Sequence, residues 1–256
     1  MCIKKAAQAA FFIIFLFFFQ PFAFKFHLKE NMKNIIVLNL LIFTCFYGCK
    51  KDKWNEPASV SFTFDLNRNP GMSDKLVFSD GKIVLESFTF EGDRVQGDDV
   101  YFTNTFSSGL SATMNSNHLN DLSFDIPQGT FTRISISFST YGTNNSNHIE
   151  LSGSYSSGRG VQSPLIFRYN AKETFTIIAK NSNGSNEIVL NKDNPVSPNI
   201  TIDPIYWFQP VSLNLMNNAE MVDVNGTQTI LIDNSTNVDI YNIVVGRIKD
   251  GAGLKF

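Results

Sequence analysis

Phe131-Thr132-Arg133-Ile134-Ser135-Ile136-Ser137-Phe138 is the stretch on which the fold class turns. Ile134, Ile136 and Phe138 fall on one side of an extended chain, and Ser135 and Ser137 fall on the other. That is the period-two signature of a strand with one face in a core. Pro127-Gln128-Gly129, a turn signal, stands just before it. The alternation recurs in both directions. Upstream, Val60, Phe62, Phe64 and Leu66 share one face, and further strands are expected at Lys82–Glu91, after the turn pair Asp80-Gly81, and at Val100–Phe106. Downstream, strands are expected at Ile149–Tyr155, Pro164–Tyr169, Thr174–Lys180 and Glu187–Leu190. Breakers rich in Asn, Ser and Gly separate them at 143–147, 156–160 and 181–186. Many short strands at this spacing predict a mainly β body, an antiparallel sandwich or barrel.

Ser-Phe-Thr-Phe occurs at Ser61 and again at Ser87, but nothing around it repeats, so it reads as a shared vocabulary and not a duplication. The outward positions are Ser and Thr more than Lys and Glu, which accounts for a charged fraction of only 17%.

The last fifty residues change character. Asp203-Pro204-Ile205-Tyr206-Trp207-Phe208 opens a segment of weaker alternation, and Thr227–Ile232 follows Asn225-Gly226 as a strand. Asn237–Lys249 reads as a helix, because Ile240, Val244 and Ile248 fall four apart with Ile243 beside them. Asn237 suits its N-cap, Asp239 the positive start, and Arg247 and Lys249 the negative end. Gly251 would stop it, and Leu254 and Phe256 would return to the sheet.

Two apolar runs precede the β pattern: Ala6–Phe24, broken by Gln20 and Pro21, and Ile35–Gly48. Met32-Lys33-Asn34 followed by the second run reads as a signal peptide, with a cationic start and an apolar stretch too short to span a bilayer comfortably. Residues 1–31 are expected to be either a mis-chosen start or an extra apolar segment, 32–48 the signal, 49–57 a tether, 58–202 the β body, and 203–256 a mixed strand and helix part packed on it. The three cysteines are Cys2, Cys45 and Cys49, so the body has no disulfide framework and no thiolate site. Residues 1–49 hold five cations and one anion of the chain's 21 and 23, which leaves the remainder near −6. A mildly acidic body argues against a nucleic-acid partner, whose phosphates demand a basic surface.

Phe46-Tyr47-Gly48-Cys49, ahead of Lys50-Lys51-Asp52-Lys53, resembles the lipobox of bacterial lipoproteins. Gly48 is the small residue that family places before its cysteine, while Phe46 stands where it usually has Leu and Tyr47 where it has a small residue. The resemblance implies cleavage after Gly48, acylation of Cys49 by diacylglyceryl and palmitate-type chains, and a location on the cell envelope, with membrane as partner. The charged tetrapeptide is also similar to the export tags of Bacteroidota surface lipoproteins. Phe124-Asp125-Ile126-Pro127-Gln128-Gly129-Thr130-Phe131 resembles a turn of Bacteroidota-type lipoproteins whose body is an immunoglobulin-like or transthyretin-like β-sandwich. That implies the sandwich, with a small C-terminal helical element, and assigns no activity.

No catalytic constellation emerges. His118 and His148 lie in loop-like sequence without a ligand partner at metal spacing, and both are expected to be solvated. Gly153–Gly158 lacks the spacing of a nucleophile elbow. Glu91, Asp93, Asp98 and Asp99 crowd one loop, where hard oxygen ligands would suit calcium, but structural turns are the expected role. Asp233, Ser235, Asn237 and Asp239 alternate as calcium ligands do, yet Val238 and Val244 occupy the places where that loop needs Gly and Glu. Asp121, Asp125, Glu150 and Glu173 are acids a glycosidase would need, with no spacing that selects a pair. Tyr206 and Trp207 are candidates for stacking a sugar. The reading is an envelope lipoprotein of binding or structural type with a glycan or envelope protein as partner. A glycan-acting hydrolase or carbohydrate-binding surface protein is the alternative.

Overall fold

The computed structural model describes residues 53–142, 146–158 and 160–256; the segments 1–31 and 32–48, Cys49 and the tether residues 50–52 lie outside the described residues. The compact unit runs from Trp54 to Phe256 and carries its own core, so it holds what a domain needs to fold alone.

The strands in chain order are β1 (Pro57–Leu66), β2 (Leu76–Arg94), β3 (Val100–Thr113), β4 (Asn115–Pro127), β5 (Gly129–Thr140), β6 (Ile149–Ser156), β7 (Gln162–Tyr169), β8 (Thr174–Ile178), β9 (Ile188–Leu190), β10 (Asn199–Ile202), β11 (Met221–Val224), β12 (Thr227–Ile232) and β13 (Ala252–Lys255). Three short helices, α1 (Pro204–Phe208), α2 (Leu213–Asn217) and α3 (Val238–Val245), lie among the last five strands. The body is the expected mainly β sandwich with a small helical element. Its smaller sheet has the order β13-β10-β1-β4; the larger runs β11-β12-β7-β6-β2-β5-β8, with β3 also on β2 and β9 also on β5. Both sheets are mixed, because β1 pairs parallel with β10 and β12 parallel with β7.

β2 organises the larger sheet. Its first part, 76–83, pairs with β6, and its last part, 85–94, pairs with β5. β3 takes the opposite edge along 82–92. β5 and β6 therefore lie end to end beside one long strand. An extra residue at Thr132, opposite the step from Asp93 to Arg94, brings Phe131 onto the same inward face as Ile134. The Phe131 ring lies over Gly92, where any side chain would collide with it at 2.6 Å.

The two sheets meet through aromatic rings. Phe62 of β1 lies 5.0 Å from Phe88 and 6.5 Å from Phe90, and Phe64 lies 5.2 Å from Phe138. The two Ser-Phe-Thr-Phe segments thus face each other across the core. Through these rings β1 faces β5 and the later part of β2. Over β6, β7 and the start of β2 the cover is helical: Phe208 of α1 packs on Phe78 and Phe167, and Tyr241 of α3 on Phe167. Arg68 ties the layers together, donating to the carbonyls of Leu66, Ser79 and Met114 and pairing with Asp65 at 2.6 Å.

Three expectations need correction. Asn115–Pro127 is a strand, where no strand was expected and His118 was placed in loop-like sequence; Leu122 and Ile126 are buried, and two bulges in its pairing with β1 break the regular alternation. The helix after Asn237 ends at Val245, and Ile248–Asp250 forms a separate 3-10 turn, so Arg247 and Lys249 lie beyond the helix. Asn237 precedes the helix but does not cap it with its side chain. It sits in the left-handed region at φ 51° and donates instead to the carbonyls of Glu220 and Leu231, fixing the chain beside the β11–β12 hairpin.

Phe62 is fully buried and touches the rings of Phe88, Phe90, Phe124 and Phe256. Phe62→Ala is expected to cost about 3–5 kcal/mol through the cavity it leaves. Urea unfolding of the two proteins measures it, and a loss below about 1 kcal/mol would show that the sheets are held elsewhere.

Candidate functional site

The acidic loop between β2 and β3 is organised by arginine. Arg94 sends its guanidinium back along the loop, donating to the carbonyls of Asp98, Trp54 and Gln128, while its backbone N–H donates to Asp99 Oδ1 at 2.9 Å. Gly97 takes φ +80°, and a side chain there would collide with that guanidinium. Arg133, from β5, lies 3.6 Å from both Glu91 and Asp93. The four acids therefore close a turn and flank a strand pair. Among the described residues no group of three or more His, Cys, Asp or Glu is placed to hold a metal ion.

The second acidic stretch is a turn of the same logic. Asp233 Oδ1 accepts from Ser235 N, Ser235 Oγ and Thr236 N at 2.7 to 2.8 Å. Burial pushes the Asp233 carboxyl up, but these hydrogen bonds outweigh it and hold the group below the ordinary carboxylate value.

The four scattered acids stay apart in the fold. Asp121 and Asp125 lie exposed on β4 of the smaller sheet. Glu150 of β6 pairs with Arg168 at 2.8 Å. Glu173 accepts from Tyr169 Oη and pairs with Lys249 at 3.0 Å; burial and then Glu173 push the Tyr169 hydroxyl up to about 12. His148, expected to be solvated, is 2% exposed, with Nδ1 2.9 Å from the Ala171 carbonyl and Nε2 without a partner among the described residues. It stands at the entry to β6, where its backbone N–H donates to the Tyr169 carbonyl. His118 lies on β4, and its side chain is outside the described residues.

Tyr206 and Trp207 part company, as neighbours on a short helix must. Trp207 is fully buried against Phe167 and presents no face to a ligand. Its Nε1 has no hydrogen-bond partner among the described residues and lies against Gly251, where an added Cβ would fall 2.1 Å away. Tyr206 is half-buried at the rim of a cleft of about 350 Å³ with Asn67, Asn69, Thr201, Asp203 and Asp250. The Arg247 guanidinium covers one face of the Tyr206 ring, 3.8 Å from its centroid. Asp203 is committed to capping α1, accepting from Tyr206 N at 3.2 Å. The cleft thus joins one aromatic ring to amide, hydroxyl and carboxylate groups, a set suited to an uncharged polyhydroxylated ligand. Sequence reading found Tyr206 but missed its companions, which come from the loop after β1, from β10 and from the chain entering β13.

A second cleft, of about 610 Å³, lies beside α2 and β11. Asn217, Ser157, Ser163 and Met221 are among its lining residues, and none of those residues is charged. Asn217 is held there by Tyr155 Oη at 2.9 Å.

Among the described residues no helix is long and apolar enough to cross a membrane. Comparison with protein families, with curated proteins and with solved structures finds no match to this chain.

Asp233 gives a pH prediction. Its folded pKa lies below the unfolded carboxylate value of about 3.9, so its contribution is complete above that value and is lost as pH falls through the folded one. Asp233→Asn is expected to cost about 1 kcal/mol at pH 7 and progressively less below about pH 4. Urea midpoints of both proteins across that range measure it; a gap that widens on acidification would contradict the assignment.

Proposed function

We propose that this chain is the precursor of an exported lipoprotein of the cell envelope, a binding or structural β-sandwich held to a membrane through lipid on Cys49. One observation carries the reading: the compact unit begins at Trp54, just past Cys49, so cleavage after Gly48 would remove none of it. The body that remains contains no cysteine and needs none. Lys50–Glu56 would serve as the tether, and β1 begins at Pro57. Two or three acyl chains give durable attachment where one gives marginal binding.

A second reading, carbohydrate binding, is supported by the cleft at Tyr206. One face of the ring is occupied by Arg247, which fixes the ring for stacking on the other. In that reading Tyr206→Ala abolishes binding of neutral oligosaccharides measured by titration calorimetry, while Tyr101→Ala, on an exposed strand, leaves it unchanged. Equal binding by Tyr206→Ala and the parent would exclude this cleft.

The lipoprotein reading is tested in cells. Cys49→Ser is expected to move the protein from the detergent-rich to the aqueous phase on Triton X-114 partition, with the melting transition of the body unchanged. Mass spectrometry of the native protein should find an acylated Cys49 as the first residue. An unacylated Cys49 inside a longer chain would refute the proposal.

A further inference from the structure

We propose that two copies of this chain associate through β3, antiparallel about a two-fold axis, joining their larger sheets into one. The inference does not depend on the lipid.

Among the described residues β3 pairs only with β2, which leaves its other backbone edge at the border of the larger sheet. Exposed edges of this length are normally defended by charge, proline, bulges or brevity. The remaining edges here are defended. β11 has four residues, one of them Asp223. β4 carries Asp121 and Asp125, and two bulges interrupt its pairing. The chain leaving β8 is covered, since Lys180 bridges to Lys255 of β13, with Lys180 N donating to Leu254 O and Phe256 N to Lys180 O. β3 has none of these except a bulge at 106–109, opposite Glu86, where Gly109 takes φ +73°. That bulge leaves Val100–Thr105 as a straight run paired residue for residue with β2.

The sequence of that run suits a second copy of itself. From Val100 to Asn120 there is no Lys, Arg, Asp or Glu, in a body whose net charge is near −6. The net charge opposes association of two copies, and this strand adds no charge of its own to that repulsion. Its outward side chains are Tyr101, 71% exposed, Thr103 and Thr105, and Thr103 already shares a hydroxyl contact of 2.9 Å with Thr89. A two-fold axis places such residues against their own kind, which uncharged hydroxyls tolerate and like charges do not. The inward side adds an apolar reason. Phe102, Leu110 and, from neighbouring β4, Phe124 pack on the core but remain only half-buried. Phe102 lies 4.8 Å from Phe124 at this open side of the sandwich, where an added strand would cover both.

Sedimentation equilibrium of the compact unit with its tether, Lys50–Phe256, tests the proposal. The expected result is a reversible dimer between about 1 and 100 µM. Thr103→Lys with Thr105→Lys should raise its dissociation constant about tenfold or more, since both side chains are exposed and the fold accepts them. Met221→Lys, on β11, should leave the constant unchanged. A parent that stays monomeric at about 100 µM overturns the proposal. So does a dimer that the β3 lysines do not weaken, or that Met221→Lys weakens as much. Single cysteines at Tyr101, Thr103 and Thr105 give a second measurement that does not depend on the lysine variants. This unit has no other cysteine, so mild oxidation should link two chains from at least one of these positions and not from Met221→Cys. Linkage from none of the three would equally overturn it.

Discussion

One strand sets the geometry of the larger sheet. β2 runs 19 residues and hydrogen-bonds to β6 and β5 in succession along one edge and to β3 along the other. A strand so long must keep its alternation in phase throughout, because a slip of one residue would turn every inward side chain to solvent. Phe78, Ile83, Leu85, Phe88 and Phe90 are all fully buried. The parity changes between Phe78 and Ile83, and again between Leu85 and Phe88. Both changes coincide with irregularities in the pairing, at Phe78/Asp80 and Leu85/Ser87. The bulges therefore rephase the strand, so that a single chain can face helices at one end and the smaller sheet at the other.

The strands with clean alternation were legible in the sequence, because apolar residues at every second position leave one solution. Val60–Leu66 and Ile134–Phe138 bury the faces expected of them. What escaped notice was structure whose reason is distant. β4 reads as polar loop because its apolar residues are sparse and its register on β1 slips twice. β10 has four residues and exists through parallel pairing with β1, more than a hundred residues earlier in the chain. Local periodicity carries no trace of such a partner. The helix after Asn237 was visible as a stripe of Ile and Val, but its end was misplaced: Gly246 closes it, and Ile248 is buried from a different turn.

The candidate cleft was legible only through its aromatic residue. Tyr206-Trp207-Phe208 announces a concentration of rings but not which ring is exposed; that is decided by α1 lying over Phe167 and Phe78. Asn67, Thr201 and Asp250 reach the cleft from segments more than a hundred residues apart at the extremes. The acidic loop taught the converse. Four carboxylates in nine residues suggest a cation, and cations are what the fold supplies, as Arg94 and Arg133. Arginine from a neighbouring strand is invisible to a reading confined to the loop.

The smaller sheet interleaves strands far apart in the sequence. β1, the first strand, is held between β4 and β10, and β10 is bordered in turn by β13, which ends one residue before the last. The order in which a chain is made therefore differs from the order in which this layer can be completed. A ribosome or a membrane channel releasing the protein from its N-terminus delivers β1 long before its partner β10 exists, and the closing ribbon arrives last. Sequence-distant pairing of this kind is slow to form. Until Phe256 is in place, the Phe62 ring has only part of its cover. The architecture therefore keeps this layer incomplete until β13 has been made, whatever the state of the strands before it.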